Sequence, residues 1–397
     1  MTAELAMGRE TALGRMIVAA GKRLTPRSVN GYLVIELPSG RRLSLGHETH
    51  GPAAELRLKN WWPLWTSMRR AALGFCESYV EGHWDSPEPA RVIGFYLRNR
   101  ESLDRASMLL FYSSLADRIW HLFRFNSRRG SRRNIEAHYD LGNDFYQLWL
   151  DRGMTYSAGW FGGGATDLES AQAAKYQLVL DALQLQSAHA MLEIGCGWGG
   201  LVEAAVARGV SVTGITLSGN QLDYANARLR GSANLRLEDY RDTTGSYDRI
   251  ASVEMIEAVG ASHWTTYFET LRDRLKSGGV AVIQSITIDA AFYQAYSSSV
   301  DFIQRYIFPG GMLPSKEILA AKAREAGLTF EPVQTFGPDY ARTLSIWRER
   351  FEQAWPEIEK LGFDERFRRK WRLYLAYCEA GFIDGAIDVG IYRLTKP

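Results

Sequence analysis

The sequence predicts a doubly wound α/β fold, a parallel sheet with helices on both faces, joined to a smaller α+β unit at the N-terminal end. Three observations carry this. From residue 190 to 286 short apolar runs alternate with helical patterns, as expected where successive strands share one parallel sheet. The first of those runs, Ala190 to Ile194, leads into Gly195-x-Gly197-x-x-Gly200, after which Leu201 to Arg208 has helical periodicity. Residues 1–125 carry a different pattern, short strands around a turn and then long helices.

The composition bounds the possibilities. With 397 residues, 46% hydrophobic and 23% charged, the chain has material for two globular domains. Its 47 Lys and Arg against 45 Asp and Glu leave a net charge of +2, which argues against a dedicated nucleic-acid binder. Cys76, Cys196 and Cys378 are far apart and form no metal-ligand spacing, so no metal is expected and a reducing compartment is the simplest reading. Met1 to Lys22 has charges around short apolar runs, with no signal-peptide pattern, and no apolar stretch is long enough to span a bilayer. A cytoplasmic location follows as the expectation. The 12 Trp, 19 Tyr and 17 Phe leave aromatic surface for an apolar substrate.

Taken in order, Gly31 to Leu37 and Arg41 to Leu45 flank Pro38-Ser39-Gly40 and read as a β-hairpin, with a further strand at Ala54 to Lys59. Pro63 to Leu122 is mostly helical. Within it Gly74 to Pro87 sets aromatics beside acids, which an ordinary buried helix face would also explain. Arg124, Arg128, Arg129, Arg132 and Arg133 form a basic connector, either a solvated linker or a contact for anionic lipid phosphates. The domain boundary is placed here, with 1–125 a lipid-docking or subunit-pairing domain and 126–397 the catalytic one. Residues 134–190 read as a helical lead-in. Strands follow at 190–194, 210–216, 234–237, 247–253 and 279–286. Thr287 to Tyr340 reads as irregular and forms a cap segment around 287–345. A helical run from Arg348 to Phe382 precedes a last alternating strand, Ala386 to Thr395.

The glycine turn places backbone N–H groups where a ligand can approach closely, but nicotinamide and adenosyl ligands both use such turns. A dinucleotide site wants an acid at the end of the second strand. Val210 to Ser218 has none. Glu193 instead precedes the first glycine, which suits the ammonium group of a methionine moiety. S-adenosylmethionine (SAM) is therefore favoured over NAD. Thr216 and Gln221 offer hydroxyl and amide partners for the ribose, and Asp239 and Tyr240 a carboxylate and a ring for the adenine. Beyond the fourth strand, Glu254 and Glu257 are spaced i, i+3, so both could face the pocket although only one need do so. A carboxylate beside a sulfonium can steady a developing cation or orient a base. The plain alternative is that Glu257 caps a helix.

Several motifs together resemble the bacterial cyclopropane-fatty-acyl-phospholipid synthases and their mycolic acid counterparts. They are Gly74 to Tyr79, His138 to Asp144, Glu193 to Gly200, Glu257 to Gly260, Tyr306 to Gly311, Phe336 to Leu344 and Tyr377 to Phe382. The resemblance implies a Rossmann-like class I SAM-dependent methyltransferase. It would act on the cis double bond of an unsaturated acyl chain in a phospholipid, peripheral to the inner membrane face, with a homodimer as one arrangement open to it. It also implies SAM contacts at Tyr156, Ser157, Gly195, Gly197, Thr216, Gln221 and Asp239. In the family a bound bicarbonate takes the proton from the new methyl group so that the ring closes. Glu257, Tyr340 and the backbone of Ile286 match three holders of that anion. The cysteine position is Ala158 and the histidine position is Gln284, so two side chains of the cage differ. A cyclopropane and a methyl-branched chain both remain open as products. Phe302, Tyr306 and Phe308 are candidates for an acyl channel. Two other classes stay in view, a methyltransferase with a non-lipid small-molecule acceptor and a lipid-binding module without catalysis.

Overall fold

The computed structural model describes residues 29–46, 53–107 and 141–397. Arg124 to Arg133 and His138 to Asp140 lie outside the described residues. The described residues form two compact units. One holds those up to 107 with Ser299–Phe302 and Trp355–Asp384, the other 141–298, Ile303–Ala354 and Gly385–Pro397.

The first unit is built on a four-stranded sheet of order β2-β1-β3-β4. Its strands are β1 (Tyr32–Glu36), β2 (Arg42–Gly46), β3 (Ala54–Leu58) and β4 (Trp84–Asp85). The expected hairpin is present, with β1 and β2 antiparallel. β3 runs parallel to β1 and alternates buried Ala54, Leu56 and Leu58 with exposed Glu55 and Arg57. Helices Trp62–Val80 and Pro89–Ser107 complete the N-terminal part. Gly74 to Pro87 takes its plain structural form. Cys76, Tyr79 and Val80 are buried, and Phe75 stacks on Trp84 with ring centroids 4.4 Å apart.

Helix Glu365–Asp384 belongs to this unit, although the sequence division at 125 assigned it to the larger domain. Arg369 explains the difference. It donates from Nε to the Tyr79 carbonyl at 2.6 Å and from a terminal nitrogen to the Trp84 carbonyl at 2.7 Å. Its guanidinium also lies 4.1 Å from the centre of the Tyr79 ring. A buried cation so tied gives two carbonyls, one at the helix end and one on β4, a side-chain donor from a distant helix. Sequence periodicity holds no trace of such a long-range tie.

The second unit carries a seven-stranded sheet of order β10-β11-β9-β8-β5-β6-β7. The strands are β5 (Ala190–Ile194), β6 (Ser211–Thr216), β7 (Asn234–Leu237), β8 (Tyr247–Val253), β9 (Leu275–Ile288), β10 (Glu331–Thr335) and β11 (Ile387–Thr395). β5 to β9 pair in parallel, whereas β11 is antiparallel to both β9 and β10. The strand order reverses between β5 and β8, so a crevice opens outside their C-terminal ends, where ligands of doubly wound sheets bind. Residues 287–340 are not irregular as expected. They contain helices Ala290–Ser297, Phe302–Tyr306 and Lys316–Glu325 as well as β10. These pieces are short, and the last helix depends on a local cap, the Ser315 hydroxyl accepting from the Ile318 N–H. Among the described residues no helix is long and apolar enough to cross a membrane.

Candidate active site

At the end of β5 the chain turns through Gly195 and Gly197, both in left-handed conformations (φ +82° and +52°), before helix Gly200–Ala207 begins. The N–H groups of Gly195 and Cys196 donate to the Ile215 carbonyl, each at 2.9 Å, which binds the turn to β6. A Cβ on Gly195 would stand 3.1 Å from Cγ of Met255, whereas at Gly197 it would meet nothing within 4 Å. Gly195 thus supports the end of β8, and Gly197 fronts open space. Gly195→Ala is expected to lose about 1 kcal/mol to the backbone conformation. Because Met255 must also shift, we expect at least tenfold weaker binding of S-adenosylhomocysteine (SAH), measurable by calorimetry.

Around this turn lie most of the residues picked from the sequence. Glu193 is 3% exposed, and its Oε2 has no hydrogen-bond partner among the described residues. Burial, opposed only in part by Lys175, pushes its carboxyl up to about 8. Ser157 is fixed from helix Leu168–Ala182: Lys175 Nζ donates to its hydroxyl at 2.7 Å and Gln172 Nε2 to its carbonyl at 2.8 Å. Tyr156 packs against Tyr146, Trp149 and Trp347 with ring centroids 5.4–5.7 Å apart. After β6 the Thr216 hydroxyl donates to Gln221 Oε1 at 2.8 Å.

Two of the expected residues after β7 already have partners. The Asp239 carboxylate is gripped by Arg241, at 2.8 and 2.6 Å, so it is already paired. Tyr240 is built into the hydrophobic core, edge-on to Tyr267 at 5.7 Å, because its ring completes the packing under β8. Phe302 is likewise core, 1% exposed and 6.4 Å from the Tyr377 ring in the first unit. Tyr306 remains partly exposed at 37%.

The catalytic candidates meet at the end of β8, around a residue that was not chosen. Glu254 Oε1 accepts from the Ala158 N–H at 2.9 Å and from Gln284 Nε2 at 2.7 Å, while Oε2 accepts from the Tyr340 hydroxyl at 2.7 Å. Glu257 Oε1 accepts from the Ile286 N–H at 2.6 Å, and its Oε2 is shut from solvent without a partner. The Glu257 carbonyl accepts from Met312 N at 2.8 Å, so the segment Ile307 to Pro314 lies against it. Burial pushes the Glu257 carboxyl up to about 8, with the Glu254 charge as second cause. Burial also raises Glu254, but Ala158, Tyr340, Lys175 and Gln284 all oppose it. Two carboxylates so close do not both ionise readily. At neutral pH the Glu257 carboxyl is therefore mostly protonated, while the donors and the Lys175 charge around Glu254 favour its ionised form.

Sequence reasoning had set Glu254 beside Glu257 without choosing it, and the i, i+3 spacing was the available signal. Lys175 and Gln172 were missed altogether, since a lysine on a helix ordinarily reads as solvated.

An orphaned buried carboxyl, an open-fronted glycine turn and a reversal of strand order suit a ligand with an ammonium group and an adenosyl moiety. Fold and site together define a class I SAM-dependent methyltransferase. More particularly, the chain belongs to the mycolic acid cyclopropane synthetase family, whose model matches residues 126–391. It is 40% identical over 341 residues to a tuberculostearic acid methyltransferase of Mycobacterium tuberculosis, covering 83% of this chain and 80% of that one. It is 36% identical over 345 residues to the cyclopropane-fatty-acyl-phospholipid synthase of Escherichia coli K12, covering 86% and 87%. The crystal structure of a mycolic acid cyclopropane synthase with SAH and CTAB superposes with a TM-score of 0.63 at 31% identity, over 67% of this chain and 98% of that one. The protein is thus a SAM-dependent, lipid-modifying enzyme.

Proposed function

We propose that the enzyme alkylates the cis double bond of an unsaturated acyl chain while that chain is part of a membrane phospholipid. The observation that carries this reading is the carboxylate pair at the end of β8, partly buried and ringed by Ala158, Gln284, Ile286 and Tyr340. An alkene is a weak nucleophile, and its alkylation leaves a carbocation. A buried anion steadies that charge, and a dry pocket keeps water from trapping it.

SAM, when bound, supplies an electrophilic methyl group. Glu193 would pair with its ammonium, Ser157 and the turn at Gly195 and Gly197 would hold its methionine part, and Thr216 and Gln221 its ribose. Asp239 would have to exchange Arg241 for such a contact. Support for a substrate presented by a bilayer comes from the first unit. Trp62, Trp65 and Met68 are 44%, 41% and 43% exposed at a helical spacing of three, next to Arg69. Aromatic and cationic side chains on one face favour the interfacial zone of a bilayer.

The test supplies methyl-labelled SAM with vesicles of a cis-monounsaturated phospholipid or of its saturated counterpart. Label is expected in the fatty acid released from the unsaturated vesicles and absent from the saturated ones. Label in a soluble acceptor or a head group, with none in the chain, would overturn the reading.

A further inference from the structure

We propose that Glu254 is the general base of the reaction, a base built into the chain, so that turnover requires no exogenous anion. The inference rests on the alkene-alkylation reading above and assigns the residue that accepts the proton.

Three observations carry it. First, the carboxylate is anchored but not saturated. A carboxylate offers about four acceptor sites, and Ala158, Gln284 and Tyr340 occupy three, leaving one on Oε2. Second, the backbone at Glu254 has φ +49°, in the region that favours glycine. A side chain is kept there at a cost of about 1 kcal/mol or more, and such strain persists where the surroundings over-determine it. Third, Glu254 adjoins Met255, which packs on Gly195, so the carboxylate stands at the same strand ends as the glycine turn. Glu257 cannot take this role while its carboxyl is protonated. The donors around Glu254 are also the positions at which the resemblance implied a bound bicarbonate, and here they converge on the protein's own carboxylate.

The step balances as follows. The alkene π pair forms the bond to the methyl carbon while the methyl–sulfur bond breaks toward sulfur, leaving a carbocation on the chain. Glu254 Oε2 accepts a proton from a carbon next to that centre, and the C–H electron pair fills the vacant orbital. The proton then passes from Glu254 to water once the product has left.

The experiment compares wild type with Glu254→Gly, which suits the local φ, and with the isosteric Glu254→Gln. Wild type is expected to keep its rate when dissolved bicarbonate is stripped from the buffer. Glu254→Gly should lose at least about 100-fold, the usual scale of a lost general base, and regain activity when bicarbonate or formate is added at millimolar concentration. Glu254→Gln should be equally slow and resist rescue, because its amide fills the gap. A purely structural role would give no rescue in either variant. Calorimetric titration with bicarbonate adds a readout free of turnover, with binding expected for Glu254→Gly and none for wild type. Dependence of wild type on bicarbonate, or a Glu254→Gly enzyme within threefold of wild type, would overturn the proposal. Should wild type transfer no label to unsaturated vesicles, the lipid reading fails instead, and the titration still decides whether Glu254 stands in the place of an anion.

Discussion

Lys175→Met is expected to lower both stability and activity, and to shift the acid limb of the rate profile to higher pH. Lys175 is fully buried, donates to the Ser157 hydroxyl at 2.7 Å, and lies 4.4 Å from the centre of the Tyr176 ring. Burial pulls its ammonium down to about 8, against the raising influence of Glu254, Asp151 and Glu193. Removing one member of a buried charge cluster typically costs about 3 kcal/mol or more, which for a unit of this size is a fall in Tm of roughly 6–12 °C. The sign of the pH effect follows from the lost cation. Without it the Glu254 carboxyl rises further, so at neutral pH less of it is ionised, and raising the pH restores part of the rate. Thermal unfolding and a kcat/KM profile from pH 6 to 9 check both halves. If Tm falls while the profile keeps its midpoint, Lys175 is a packing residue alone.

Much of the second unit was legible because its strands are short apolar runs closed by glycine turns, and β11 alternates cleanly. The hairpin of the first unit was legible for the same local reasons. What escaped was set by contacts distant in sequence. Helix Glu365–Asp384 joins the first unit through Arg369, which reaches carbonyls of Tyr79 and Trp84 nearly 300 residues away. The site divides along the same line. Glu193, Gly195, Gly197, Thr216 and Gln221 follow from position relative to the strand ends, a one-dimensional signal. Asp239 and Tyr240 have the right position too, but Arg241 and Tyr267 claim them, and position cannot reveal competition for a side chain. The prominence of Glu254 depends on a positive φ and on donors from β9, from helix Gly337–Gln353 and from Ala158. None of those is encoded in the spacing of Glu254 from Glu257.

Glu193→Gln should weaken SAH binding by roughly 30- to 150-fold, the equivalent of about 2–3 kcal/mol for a charge-assisted hydrogen bond in a buried site. The buried Oε2 has no partner among the described residues, so an ammonium arriving there gains a carboxylate oxygen that they do not engage. The free protein holds Glu193 near 8, so at pH 7 most of it is protonated. An ammonium favours the ionised form, and binding at pH 7 must therefore release a proton from Glu193. Calorimetry at pH 7 in two buffers of different ionisation enthalpy reads that proton directly. Wild type should release it, and Glu193→Gln should not. Linkage adds a check on the free protein. A carboxyl raised from about 4.5 to about 8 on folding contributes stability that is present at low pH and lost as pH climbs through 8. Glu193→Gln removes that loss, so its Tm relative to wild type should rise between pH 5 and 8. A variant whose Tm difference stays level over that interval, with SAH affinity intact, would leave Glu193 as a core carboxyl with no part in holding the methyl donor.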